Sequence, residues 1–339
     1  MKPSVQPCAI CSRRTPYFNY GVQCCNGCVL FFRRMMACLN TKRVCKSGGT
    51  CVDPMKIAKC KHCRFLKCLE VGMSHEPSKS LVSPVTFQKH DKLSVLINGL
   101  INLDLCRNNF FLHCEALNDP TFDELVEDSK AVAFQRKSEH QVMSIFDWGF
   151  CQQVTTIEFL KHLEFAKSLA ATNLNDLKIL IRATFFKTSI LYNAFRSFIG
   201  KQQKMVFPDG SDVMPEELHA VCPELLNQIR CRLIGKFGEL RITKEEFLML
   251  IVLFLLANPV VTDLSEEGKK IIGLYKDKFT SALFQYCQIN YQRGGPSRFN
   301  DLIFVCNVAN QTLEDFQKLA MLTMLHGPVK LPKKLFEAN

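Results

Sequence analysis

Eight cysteines stand in pairs near the start of the chain: Cys8-x2-Cys11, Cys25-x2-Cys28, Cys45-x5-Cys51 and Cys60-x2-Cys63. Zinc takes four soft ligands tetrahedrally, and a C-x2-C pair lets a single turn present two thiolates to one ion. Eight such thiolates hold two ions. The competing chemistry is a disulfide framework, which requires an oxidising compartment. The chain opens Met1-Lys2-Pro3 with no apolar stretch of secretory type, so an intracellular chain and structural zinc are expected. Cys24 lies beside Cys25 and competes with it as a ligand, whereas Cys38 and Cys68 match no pair and read as buried thiols.

Catalytic patterns are missing. No Gly-x-Gly-x-x-Gly, Gly-x4-Gly-Lys-Ser/Thr, His-Glu-x-x-His or Gly-x-Ser-x-Gly occurs, and the histidines are scattered. His162 falls on an apolar helix face, where a core or surface role outweighs a catalytic one. A non-enzyme is expected. The enzyme-related alternative is a cross-braced zinc ligase module that uses His62, inside Cys60–Cys63, as a ligand.

The paired thiols need elements to position them, and the segments after two of the pairs read as helices. From Cys25 the chain runs without proline through Phe31-Phe32-Arg33-Arg34. Helical spacing puts Cys25, Cys28, Phe32 and Met35 on one face, toward metal and core. It puts Asn26, Val29 and Arg33 on another, which a DNA major groove accepts, with Arg34 near the edge and suited to phosphate. A further basic helix, Cys60-Lys-His-Cys63-Arg64-Phe65-Leu-Lys67-Cys68, opens on the last pair. Charge follows the same division. Residues 1–73 hold 13 Lys+Arg against two acids, and residues 74–339 hold 30 of each, so the whole net charge of +11 sits in the first segment. Such a segment binds a polyanion at physiological salt.

The run Asn19-Tyr20-Gly21-Val22-x2-Cys25-Asn-Gly-Cys28-x2-Phe31-Phe32-Arg33-Arg34 resembles the first finger of a nuclear receptor DNA-binding domain. The run Cys60-x2-Cys63-Arg64-Phe65-x-Lys67-Cys68-Leu69-Glu70-Val71-Gly72-Met73 is similar to the close of the second. The resemblance implies a small α+β module in which Cys8, Cys11, Cys25 and Cys28 hold one Zn2+ and Cys45, Cys51, Cys60 and Cys63 the other. It implies double-stranded DNA as partner, with base contacts from Asn26, Val29 and Arg33. Tyr20, Arg34, Arg64 and Lys67 complete the DNA-binding set. The family usually carries an acid where Asn26 stands and a lysine where Val29 stands. A lysine donates to guanine, whereas valine touches only a thymine methyl, so the usual half-site does not carry over. The Asn-Gly pair resembles the divergent receptors expanded in nematodes.

Beyond a Pro/Ser-rich stretch the pattern is helical almost throughout. The spacing predicts helices over Thr156–Leu169, Leu174–Ile199, Leu264–Tyr291 and Phe299–His326, among roughly ten in all. Met205–Met214 reads as a short hairpin. A capping box, Thr243-x-x-Glu246, opens the most apolar helix, which Asn258-Pro259 ends. That apolar run is too short to span a membrane. Phe165-Ala166-Lys167, Asn175-Asp176, Asn258-Pro259 and Gly295-Pro296-x-Arg298-Phe299 are similar, in this order, to a nuclear receptor ligand-binding domain. The resemblance implies an all-α three-layer helical sandwich, with domains at 5–75, 76–92 (hinge) and 93–339. It implies a lipophilic ligand, coregulator proteins, a homo- or heterodimer through the last long helix, and a nuclear location. Lys167 becomes one side of a coregulator clamp, Arg182 a rim charge and Glu337 the opposing acid, although the Leu331–Asn339 tail fits an activation helix poorly. Seven residues precede Cys8, which predicts no separate N-terminal activation region. The expected function is a zinc-dependent, sequence-specific transcription factor. The alternative is a ligand-independent repressor or protein-interaction scaffold whose Phe-rich C-terminal domain is filled by its own side chains.

Overall fold

The computed structural model describes residues 5–20, 22–37, 45, 51, 53–71, 73, 87–128, 131–137, 143–214, 218 and 221–326. Cys38, Glu337 and residues 76–86 of the expected hinge lie outside them. Two compact units, Met1–Phe110 and Phe111–Asn339, make up the chain.

The first unit is built around its cysteines. Two minimal antiparallel pairs, β1 (Gln6–Pro7) with β2 (Arg14–Thr15) and β3 (Phe18–Asn19) with β4 (Val22–Gln23), bring Cys8 and Cys11 back toward Cys25. Tyr20 turns the second pair with φ +54, a left-handed conformation unusual for a side chain of its size. Helices α1 (Asn26–Ala37), α2 (Pro54–Lys59) and α3 (Lys61–Glu70) follow. As the helical spacing required, Cys25, Cys28, Phe32 and Met35 are all buried. The Phe32 ring stacks on Phe65 of α3 at 6.2 Å and meets Tyr20 edge-on at 5.4 Å, so both zinc-finger helices share one core. Cys68 is fully buried in that core, as expected of an unpaired thiol. Helix α4 (Phe87–His113) begins inside the 76–92 segment, and its Asn102 amide donates to the Met73 carbonyl.

The second unit is helical. A short antiparallel pair, β5 (Cys114–Ala116) with β6 (Phe134–Arg136), brackets helix α5 (Phe122–Glu127). Then come α6 (Ile145–Lys161), α7 (Glu164–Thr172), α8 (Leu174–Ile199), α9 (Pro223–Leu240), α10 (Lys244–Leu256), α11 (Glu266–Tyr291) and α12 (Gly295–His326). Helices α6 and α7 lie against α8, and α7 also meets α11. Helices α9 and α12 pack on each other and cover the other side of α8, α10 and α11, which gives three layers. Every residue from Glu246 to Leu256 of α10 is buried, as befits a middle layer. Its Phe247 ring stacks on Phe195 of α8 at 3.8 Å.

Thr243 caps α10 through a complete capping box with Glu246, and α8 runs over Leu174–Ile199 as its periodicity predicts. The helix expected at Thr156–Leu169 is instead two helices. His162 closes α6, and Leu163 takes an extended conformation (φ −66, ψ 145) that caps α7. Apolar residues keep helical spacing through the break, because both helices bury their stripes in the same core. The Met205–Met214 hairpin reduces to a single bridge, Val206 to Asp212, around Gly210 at φ +86. None of the described helices is long and apolar enough to cross a membrane.

Candidate zinc centres and nucleic-acid interface

Four sulfurs converge twice. The Sγ atoms of Cys8, Cys11, Cys25 and Cys28 all lie within 4.8 Å of one another, and so do those of Cys45, Cys51, Cys60 and Cys63. Among them Cys11–Cys25 measures 3.6 Å, Cys45–Cys51 3.7 Å and Cys45–Cys63 3.5 Å. A disulfide requires about 2.0 Å, so these sulfurs are not bonded. Ligands about 2.3 Å from a common tetrahedral centre stand about 3.8 Å apart, which is the spacing found here. The donor set, all thiolate and largely buried, fits zinc.

Each cluster draws its sulfurs from local turns. Cys28 N–H donates to Cys25 O at 2.8 Å, so the first turn of α1 presents two ligands, and Cys8 N–H donates to Arg13 O at 2.8 Å in the opposite knuckle. Burial alone would raise the Cys8 thiol, but backbone N–H groups of Cys25, Cys11 and Ile10 outweigh it and bring it to about 7. Cys28 is raised by its burial, against the opposing pull of Arg64. Cys24 turns away, its Sγ donating to Asn19 O at 3.4 Å, so side-chain direction separates it from its ligand neighbour. His62 is not part of the second cluster.

Helix α1 presents the other expected face outward. Asn26, Arg33 and Arg34 are exposed, Val29 is half-buried, and Leu30 is 55% exposed, which adds an apolar residue to a surface that sequence spacing had left to three. Arg34 Nε donates to Leu30 O of its own helix at 3.3 Å. Tyr20, Arg64 and Lys67, the remaining expected residues, are half-buried and have protein partners. Tyr20 packs its ring on Phe32. Arg64 points inward: Nη2 donates to Cys28 Sγ at 3.2 Å, Nη1 to Ala58 O at 3.3 Å, and the guanidinium lies 4.5 Å from the Phe31 ring centre. Lys67 pairs with Glu70 at 3.0 Å.

In the second unit, Lys167 is exposed in the first turn of α7, while Arg182 on α8 lies 3.7 Å from Asp123 and 4.6 Å from the Phe122 ring. Lys161 ends α6 and donates to Leu125 O at 2.5 Å, a contact no periodic signal announced. A cavity of about 100 Å3 opens between α6, α8 and α12, lined by Phe146, Gln152, Phe186, Asn193, Phe207 and Phe316 among others. Behind it Arg196 donates to Gln152 Oε1 at 3.2 Å and to Asn193 Oδ1 at 2.7 Å.

Comparison with known proteins agrees with this geometry. Residues 6–75 match the double treble clef zinc finger of C4 type, and residues 131–325 match the ligand-binding domain of nuclear hormone receptors. In Caenorhabditis elegans, nuclear hormone receptor family member nhr-27 is 36% identical, over 99% of this chain and 93% of its own length. Member nhr-9 is 34% identical over 98% and 95%, and member nhr-167 is 37% identical over 97% and 95%. With two four-cysteine clusters of zinc geometry, an outward-facing basic helix and a helical sandwich later in the sequence, the chain belongs to the nuclear hormone receptor family, and is a zinc-dependent transcription factor whose two zinc ions are structural.

Proposed function

We propose that this chain is a sequence-specific regulator that works in the nucleus, organised as a DNA-binding domain over 5–75, a hinge over 76–92 and a regulatory domain over 93–339. The observation that carries this reading is α1 itself. Cys25 and Cys28 anchor its first turn in a four-sulfur cluster, and Asn26 and Arg33 stand free of the core on its other face. A helix so held enters a major groove with its N-terminal half against base edges. Asn26 suits adenine, Arg33 suits guanine, and Val29 with Leu30 suits thymine methyls. Arg34 and Lys67 serve the phosphates, and Arg64, drawn onto Cys28, braces the module. Selection of bound sites from random duplexes with the full-length, zinc-loaded chain tests this. Enrichment of one sequence, with affinity falling steeply as salt rises, is expected. Binding without sequence preference refutes it.

The second unit is the regulatory half. Its cavity is mostly apolar, with Gln152 and Asn193 at one side, which suits a small lipophilic molecule carrying a polar end. A specific observation also supports the alternative. The free space is about 100 Å3, and Phe186 and Phe316 close on each other at 5.1 Å between ring centres. That favours a domain filled by its own side chains, acting through coregulator proteins and a dimer partner along α12. Native mass spectrometry of the purified chain separates the two: a retained small molecule supports the sensor, and a bare mass supports the orphan.

A further inference from the structure

The stretch between Cys11 and β4 carries two arginines and two aromatic rings within Arg13-Arg14-Thr15-Pro16-Tyr17-Phe18. None of them belongs to α1. Tyr17 is 50% exposed and Phe18 68%, and both arginines are exposed. Among the described residues, none of these four side chains has a hydrogen bond, an ion pair or a ring contact. Strand pairing explains why they face outward. Asn19 stands opposite the buried Val22, so Phe18, one step back along β3, faces the other way with Gln23. Thr15 is buried in β2, so its neighbour Arg14 faces out.

The backbone under these side chains is held in place. Cys8 N–H donates to Arg13 O at 2.8 Å, and Cys24 N–H donates to Tyr17 O at 3.2 Å. Thr15 adds two ties, accepting at O from Gln23 Nε2 at 2.8 Å and at Oγ1 from Tyr17 N–H at 3.2 Å. Cys8 belongs to the first sulfur cluster and Cys24 adjoins Cys25 of the same cluster, so zinc fixes the ridge. Its groups match the parts of a nucleic-acid strand. An arginine forms charge-assisted hydrogen bonds to a phosphate, and an aromatic ring stacks on the face of any base. A duplex keeps its base faces inside the stack, so an unpaired strand is what offers them. Size separates this partner from a folded protein. A stable protein interface needs about 800 Å2 on each side. Four side chains around two-residue strands fall short of that, whereas a base needs one ring face.

We propose that this ridge is a single-strand binding site, carried by the knuckle rather than by α1: Tyr17 and Phe18 each stack an unpaired base, and Arg13 and Arg14 hold the neighbouring phosphates. Every base has a stacking face, so the site takes RNA or unpaired DNA with little regard to sequence. The net charge of +11 on residues 1–73 draws such a strand in. This goes beyond the duplex reading and does not depend on it.

The test uses the full-length, zinc-loaded chain with fluorescein-labelled oligouridylate and oligothymidylate of about 12 nucleotides, followed by anisotropy. Tyr17→Ala and Phe18→Ala are each expected to weaken strand binding about fivefold or more. Arg13→Gln with Arg14→Gln is expected to weaken it further and to flatten its dependence on salt. Duplex binding, carried by α1, is expected to stay within about twofold of wild type in all of these variants. Phe18→Leu keeps apolar volume and removes the ring, so it is expected to lose as much as Phe18→Ala, and zinc content shows that the knuckle remains folded. Tighter binding of the uridylate assigns the site to RNA, and tighter binding of the thymidylate assigns it to unpaired DNA. Failure to bind either strand overturns the proposal, as does strand binding that survives loss of both rings. An equal loss on duplex DNA also overturns it, because the ridge would then serve the duplex. Selection of duplex sites by the wild-type chain is independent of these results.

Discussion

The guanidinium of Arg64 lies across the first zinc cluster, Nη2 donating to Cys28 Sγ at 3.2 Å from 36 residues further along the chain. Four thiolates around a dication carry a net negative charge, and a charged donor to one sulfur offsets part of it while fixing that ligand's direction. Because Arg64 belongs to α3 and Cys28 to α1, this one contact ties the second finger to the first metal. Arg64→Gln is expected to weaken zinc binding at the first cluster by about 10- to 100-fold, with the second cluster unchanged. Chelator competition with a zinc-responsive dye resolves two release steps, and unaltered release of both refutes the role.

Removal of zinc itself acts on one unit. A segment of this size buries too little core to hold its fold alone, so metal binding supplies its folding free energy. Treatment with a strong chelator is expected to abolish DNA binding and expose the Phe32–Phe65 core to proteolysis, while α6–α12 keep their melting transition. Protection of the first unit after complete zinc loss would contradict this.

Glu246 and Arg298 form a buried ion pair in the second unit. Glu246 is fully buried, and Arg298 gives it two donors, Nε at 2.8 Å and Nη2 at 2.6 Å, with Nη1 on Leu240 O at 2.7 Å. Glu246 also completes the cap of α10, so the pair locks α12 to the start of the middle layer. Arg298→Met leaves a carboxylate stranded in the core and is expected to cost about 3–5 kcal/mol in denaturant unfolding. Adding Glu246→Gln removes the stranded charge and is expected to recover part of the loss. A single-variant cost below about 1 kcal/mol, the level of a surface pair, would show the pair to be dispensable.

Val29 is half-buried on the outward side of α1, where a longer side chain reaches past it to solvent. Val29→Lys is expected to move the selected DNA sequence toward guanine at one position, because lysine donates to O6 and N7 where valine only touches a methyl. Unchanged selection after the substitution would place the base contacts elsewhere on α1.

His162, at the break between α6 and α7, donates from Nδ1 to Glu158 O at 2.7 Å, and burial lowers its pKa. A depressed folded value means that the unfolded chain takes up the proton first. Stability from this group is therefore complete above the unfolded value of about 6.5 and is lost as pH falls below it. His162→Gln is expected to flatten the decline in melting temperature between about pH 6.5 and pH 5. A variant with the same slope as wild type would assign that decline to other groups.

The thiol spacing, the charge step at residue 73 and the helical period after Cys25 were local properties, and local properties are legible. A C-x2-C pair turns back on itself wherever it stands, and Thr243-x-x-Glu246 caps a helix from within four residues. That is why both sulfur clusters, α1, α8 and α10 could be read from the chain alone. What could not be read depended on direction and on distant partners. Cys24 and Cys25 are neighbours of one type, and only the fold turns one to Asn19 and the other to the metal. That Arg64 reaches Cys28 Sγ follows only from α3 packing on α1. Leu163 breaks a helix whose apolar stripe continues unbroken, and six residues at Phe122 carry too little period to announce a helix, let alone one seated among Lys161, Lys178 and Arg182. Sequence determined the chemistry available to this protein. Tertiary packing decided which groups that chemistry engages, because contacts between residues tens of positions apart exist only once the chain has closed on itself.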